Sequence, residues 1–168
     1  MEYQHVIHPF LPVYDEASQV LILGSLPSVK SREKKFYYGN SQNRFWKVIS
    51  AIFGEEVPVT IEAKKYLILK NRLALWDTIY SCDIVGSSDS LIKNAEPTNL
   101  LPLVQNSRIS HIFCNGKTAW TYFNKYQKML LNIEAKLLPS TSPANAAWSL
   151  EKLIDAWKEV YNAAKSGM

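Results

Sequence analysis

The sequence predicts an α/β fold: one domain over residues 1–168, with a four-stranded, mainly parallel sheet flanked by helices. Two observations carry that reading. Short runs rich in Leu, Ile and Val alternate with segments whose apolar residues recur at helical spacing, the pattern of parallel strands joined by right-handed crossovers. A chain of 168 residues, 47% hydrophobic and 20% charged, can also bury one sizeable core and lies outside the composition of disordered chains. No internal repeat or linker divides it.

The run VLILGS at 20–25 is β-branched and leucine-rich and ends in glycine and serine, so it reads as a buried strand. A long basic and aromatic loop follows. A helix is expected over 43–53, where Phe45, Trp46, Ile49 and Phe53 share a face and Gly54 stops the run. A second helix, roughly 61–70, leads into the strand LALWDTI at 73–79. Residues 80–98 are polar, with Gly86, several serines and Pro97, and are expected to be mostly loop. A short helix at 99–106 precedes the strand HIFCNG at 111–116, a helix over 117–131 and a last strand at 136–140. After Asn145, Leu150, Leu153, Ile154, Trp157, Val160 and Tyr161 mark an amphipathic closing helix.

In open α/β sheets, ligands bind beyond the carboxyl ends of the strands. Residues 24–28 follow the first strand, Asp77 sits near the end of the second, Asn115 closes the third, and residues 140–145 follow the fourth. One shared pocket is the natural reading. Gly24 and Ser25 can bring backbone N–H groups close to a ligand, or simply form a turn. Of Tyr37 and Tyr38, one ring is expected to pack inward and one to face the pocket. Asp77 and Asn115 either read a polar ligand edge or bond structurally. Asn43 either caps a helix or holds a water through its carbonyl oxygen, with its NH2 anchored elsewhere.

Composition narrows the partners. Nineteen Lys and Arg against fifteen Asp and Glu give a net charge of +4. Lys30, Arg32, Lys34, Lys35, Arg44 and Lys47 cluster around Phe36, Tyr37 and Tyr38, with Glu33 the only acid among them. Basic side chains interleaved with aromatics suit a nucleic-acid backbone. Cys82 and Cys114 are far apart, and His5, His8 and His111 do not complete a zinc or iron–sulfur ligand set with them. No metal and no cofactor are therefore expected. There is no signal-peptide pattern and no apolar run of membrane-spanning length, so a monomeric cytoplasmic protein with reduced thiols is expected.

Six motifs occur in order: GSLPS (24–28), YYGNSQNRFW (37–46), LWD (75–77), SCDIVGSSDSLI (81–92), FCNG (113–116) with Ala119, and LPSTSPAN (138–145). Together they resemble the uracil-DNA glycosylase superfamily, most closely its hypoxanthine-DNA glycosylase branch. The resemblance implies that superfamily's fold and a monofunctional DNA N-glycosylase. Such an enzyme hydrolyses the bond to a deaminated base, hypoxanthine first, flipped out of DNA, and leaves an abasic site.

Residue by residue, Asn43 matches the Asn of the family's N-x-F-W signature and would orient the attacking water. Asn40 stands where many members have His. Tyr38 aligns with the aromatic that stacks on the extruded base. Leu26 occupies the slot where ordinary uracil-DNA glycosylases carry Asp and mismatch-specific relatives Asn. An apolar side chain cannot activate water, so the polar role passes to Asn43 or Asn40. Ser140, Thr141, Ser142, Pro143 and Asn145 belong to the loop that grips DNA beside the flipped nucleotide, and Ser28, Lys30 and Arg44 are further candidates for DNA contact. Taken by composition alone, that loop is also an ordinary helix cap. Two other readings stand beside hypoxanthine excision: a uracil or thymine-mismatch glycosylase of the same fold, and a non-catalytic damaged-DNA-binding domain.

Overall fold

The computed structural model describes residues 2–166. In chain order it opens with β1 (Gln4–Ile7), β2 (Val20–Gly24), α1 (Val29–Lys34), α2 (Phe45–Ile52) and α3 (Ile61–Lys70). Then come β3 (Leu73–Asp77), β4 (Ile79–Ile84), β5 (Lys93–Pro97), α4 (Leu101–Gln105) and β6 (His111–Asn115). The last elements are α5 (Lys117–Tyr126), α6 (Lys128–Leu131), β7 (Ala135–Leu138) and α7 (Leu150–Lys165).

Four strands make the expected parallel sheet in the order β3-β2-β6-β7. Alternate residues of a strand face opposite sides, and helices cover both sides here, so the central strand is apolar throughout. Val20 and Ile22 pack with Phe45, Ile49 and Trp157 from α2 and α7, while Leu21 and Leu23 pack with Leu103, Ala119 and Phe123 from α4 and α5. Trp157 is fully buried, and its indole N–H donates to the Pro139 carbonyl at 2.9 Å. One core side chain thus ties the closing helix to the loop after β7.

The polar segment 80–98 is not mostly loop. After Thr78 the chain leaves the parallel sheet and continues as β4, the middle strand of a three-stranded antiparallel sheet ordered β1-β4-β5. Its buried side is small, with Ile79, Cys82 and Ile84 at its centre. β5 exposes most of its side chains and pairs with β4 through shifted registers, so no apolar alternation announces it. The expected strand at 73–79 accordingly splits at Thr78.

Other boundaries moved for local reasons. Six residues of the basic loop form α1, started by the Ser28 hydroxyl accepting the Ser31 N–H at 3.2 Å. The helix expected from 43 begins at Phe45, because Asn43 and Arg44 form its entry turn. The helix expected over 117–131 breaks at Gln127, whose amide turns inward to donate to the Thr98 carbonyl at 2.7 Å.

Candidate active site

A cavity of about 300 Å³ opens at the carboxyl ends of the parallel strands. Gly24, Ser25, Leu26, Ser28 and Lys30 line it from β2 and α1; Tyr38, Asn40 and Asn43 from the aromatic loop; Asp77 and Asn115 from β3 and β6; and Ser140, Thr141, Ser142 and Pro143 from the loop after β7. Arg44 is not part of the lining, and Asn145 borders a neighbouring, more open hollow with Lys117, Leu137 and Trp148.

Gly24 and Asp77 are register partners on adjacent strands and form the floor. A Cβ on residue 24 would lie 2.4 Å from Asp77 Oδ1 and 3.3 Å from the Tyr38 hydroxyl. Only glycine leaves the carboxylate room to lie across the strand. Asp77 Oδ2 meets His8 Nε2 at 2.7 Å, with the two side chains 5% and 2% exposed. His8 backs the floor from the residue after β1, and the sequence reading considers it only as a metal ligand. The one signal for it was a His placed directly after the apolar pair Val6 and Ile7 and two residues before Phe10.

The tyrosine pair divides its work. Tyr37 is buried and its hydroxyl donates to the Leu11 carbonyl at 2.9 Å. Tyr38 lines the cavity with a left-handed backbone (φ 53°), an unusual conformation for an aromatic residue. One face of its ring stacks on Phe45 at 3.9 Å between centroids. Its hydroxyl is buried, and although the Asn115 side chain approaches it, the two do not meet in well-formed hydrogen-bond geometry. Burial first, then the Asp77 charge, raise this phenol far above its ordinary range, so it stays protonated.

The opposite wall is a closed relay. Asn43 Oδ1 accepts the Phe45 N–H and the Thr141 hydroxyl, both at 2.9 Å. Thr141, fully buried, takes an N–H from Asn115 Nδ2 at 3.0 Å and gives its backbone N–H to Asn115 Oδ1 at 3.0 Å. A backbone N–H can only donate, so the Asn43 amide has one possible orientation. Its carbonyl oxygen is the anchored end and its NH2 is the free end, the reverse of the arrangement expected from sequence. Asn115 is engaged through both ends of its amide. Asn40 shapes the preceding turn, its Oδ1 accepting the Gln42 N–H at 2.9 Å and its carbonyl the Asn43 N–H at 2.9 Å.

The loop after β7 is held from within. Ser140 Oγ accepts the Ser142 N–H at 3.1 Å, Ser142 Oγ accepts the Ala144 N–H at 3.1 Å, and Asn145 Nδ2 donates to the Ser140 carbonyl at 3.0 Å. Both serine hydroxyls keep their own O–H for an outside acceptor. The Arg44 guanidinium points into this loop, donating to the carbonyls of Ser142 (3.0 Å), Asn145 (3.1 Å) and Trp148. It clamps the loop and has little left to offer a phosphate. Lys30, by contrast, is exposed at the lip, joined only to Glu33 at 3.8 Å in an exposed pair of little strength.

Leu26 lines the cavity and packs toward the Ile79, Cys82 and Ile84 cluster. Ser25 Oγ donates to Asp89 Oδ1 at 3.1 Å across the mouth. Burial pushes the Cys114 thiol up to about 12 and also raises Cys82, so neither is a nucleophile at neutral pH. Among the described residues, no three of His, Cys, Asp or Glu converge as a metal site would require, and no helix is long and apolar enough to cross a membrane.

The sequence model of the uracil DNA glycosylase superfamily matches residues 11–165. A hypoxanthine DNA glycosylase from Methanosarcina acetivorans is 36% identical over 156 residues, which span 90% of this chain and 96% of that one. A protein of the same description from Methanosarcina barkeri is 32% identical over 158 residues, again 90% and 96% of the two chains. A solution NMR structure of a candidate uracil DNA glycosylase from M. acetivorans shares the fold with a TM-score of 0.77. It is 32% identical and covers 93% of this chain and 99% of its own.

Proposed function

The chain belongs to the uracil DNA glycosylase superfamily and is a DNA N-glycosylase, and on that premise we propose that it removes hypoxanthine, the deamination product of adenine, from DNA. The observation that carries the assignment to this cavity is the convergence of Gly24, Asp77, Asn43, Asn115 and Thr141 at the strand ends. The base swings out of the duplex into that space, with the Tyr38 ring as one wall.

The glycosidic bond then breaks largely ahead of attack, so the water needs orientation more than deprotonation. The Asn43 NH2 holds it by donating to its oxygen, while Phe45 and Thr141 keep the amide from turning. Water adds its oxygen to the sugar carbon, and its proton leaves for the departing base or solvent. Ser140, Ser142 and Lys30 face the phosphates, with Ser28 holding the start of α1 beneath them. One domain spanning 1–168, acting as a monomer in a reducing cytoplasm, suffices for this chemistry.

The test is cleavage of labelled duplexes carrying one hypoxanthine, uracil, xanthine or normal base, with alkali to reveal abasic sites. Breakage at hypoxanthine that disappears in Asn43→Ala, with DNA binding retained, is the expected result. Breakage mainly at uracil would overturn the base assignment and leave the enzyme class standing. No breakage at any lesion by folded protein would refute glycosylase action.

A further inference from the structure

His8 lies upstream of every motif that carries the family resemblance, yet its imidazole reaches the floor of the cavity. His8 Nδ1 is 2.8 Å from the Phe10 carbonyl, an acceptor, so that nitrogen carries a hydrogen; the Phe10 N–H lies farther off, at 3.4 Å. With Nδ1 protonated, the 2.7 Å contact between Nε2 and Asp77 Oδ2 contains one further proton. That proton can sit on the imidazole or on Oδ2. In either case it does not sit on Oδ1.

Asp77 Oδ1 is therefore an acceptor in both states, and it has no hydrogen-bond partner among the described residues. It lies over Gly24, in the cavity lining. The backbone that carries Asp77 is also held in place: the Thr98 hydroxyl donates to the Asp77 main-chain carbonyl at 2.7 Å, and Gln127 holds Thr98 in turn. His8 itself is boxed by Phe10, Tyr37 and Trp76 rings at 5.2, 6.1 and 6.4 Å, which limit its rotation.

We propose that His8 is the positioning residue that fixes Asp77 Oδ1 as a permanent acceptor, and that this oxygen selects a base with a ring N–H on its hydrogen-bonding edge. Deamination changes the polarity of one ring nitrogen. Adenine N1 is a lone pair, which a carboxylate oxygen repels, whereas hypoxanthine N1 bears a hydrogen, which it accepts. An unclamped carboxyl could bring its proton to Oδ1 and welcome the undamaged base. His8 removes that option by keeping the shared proton between Nε2 and the far oxygen.

This inference rests on the proposed base excision, and its test separates the two. Single-turnover excision is measured on duplexes with hypoxanthine and with unsubstituted purine, which has a lone pair at N1 and no carbonyl. Loss of an N–H to carboxylate hydrogen bond is worth roughly 10- to 100-fold. His8→Ala is expected to lower hypoxanthine excision by about that factor while leaving the slow purine reaction within about 2-fold. His8→Gln, whose amide can donate to Oδ2, should recover part of the loss.

Equal loss on both bases would mean that His8 is only structural, and unchanged excision of hypoxanthine would mean that it is idle. Either result overturns the proposal. If His8→Ala does not fold, the ratio of the two rates in His8→Leu, which cannot donate to Oδ2, and in Asp77→Ala, which has no acceptor, decides: a ratio unchanged from the wild type refutes it. Wild-type protein inactive on hypoxanthine would instead refute the proposed function, and it would do so before any variant is made.

Discussion

The two walls of the cavity use polar side chains in opposite ways. On one wall Asn43, Thr141 and Asn115 bond to one another, and only the Asn43 NH2 is left over. On the other, Asp77 spends one oxygen on His8 and keeps the second open, and the Tyr38 hydroxyl beside it has no well-formed hydrogen bond. The first wall is rigid because its hydrogen bonds are nearly complete. The second carries unmet capacity, which is costly in an empty buried site and useful only when a ligand supplies the missing partner. Shape comes from the satisfied wall and selectivity from the unsatisfied one.

Three substitutions would break or sharpen that contrast. The largest effect is expected from Asn43→Asp. Its carboxylate can still accept from Phe45 and Thr141, so thermal stability should stay within a few degrees of the wild type. The free end, however, changes from a donor to a charged acceptor, and single-turnover excision should fall by about 100-fold or more, the scale of losing one aimed donor. Activity near wild type would show that the water is held by an acceptor after all.

Gly24→Ala addresses the other wall. The new methyl would meet Asp77 Oδ1 at 2.4 Å and force the carboxylate aside. Displacement of that order should lower hypoxanthine excision by roughly 10- to 100-fold. Stability should fall by about 1–3 kcal/mol as the strand ends adjust, measurable by denaturant titration. Full activity would place the base away from Asp77.

The smallest effect is expected from Tyr38→Phe. Removing a buried hydroxyl that has no well-formed hydrogen bond should leave stability unchanged or raise it by up to about 1 kcal/mol, while the stack on Phe45 persists. A clear drop in melting temperature would show that the hydroxyl is bonded and would undo the contrast between the walls.

The same contrast explains what could be read from the residues. β2, β3 and β6 are buried on both faces, so their Leu, Ile and Val runs stand out from any neighbouring segment. The strand ends follow directly, and with them the Gly24, Asp77, Asn115 and Thr141 cluster. The antiparallel sheet has one small apolar side, and β5 reads Lys-Asn-Ala-Glu-Pro, which resembles a loop because only Ala95 packs on that side and the rest is held by backbone pairing and polar contacts such as Asn94 to Asp83. His8 was hidden for a related reason: its partner is 69 residues away and comes within reach only through β1 pairing with β4. The orientation of the Asn43 amide was also beyond sequence reading. It depends on Thr141, which lies 98 residues further along the chain.

β1 is four residues long and mostly exposed, the kind of segment an engineer would trim first. It also covers one side of β4, and without it β4 would present a row of unpaired N–H and C=O groups to solution. Trimming back past residue 8 would therefore create a sticky sheet edge and remove the clamp on Asp77 together. A shortened protein that precipitates and also mistakes its base would have lost two separate things to a single cut.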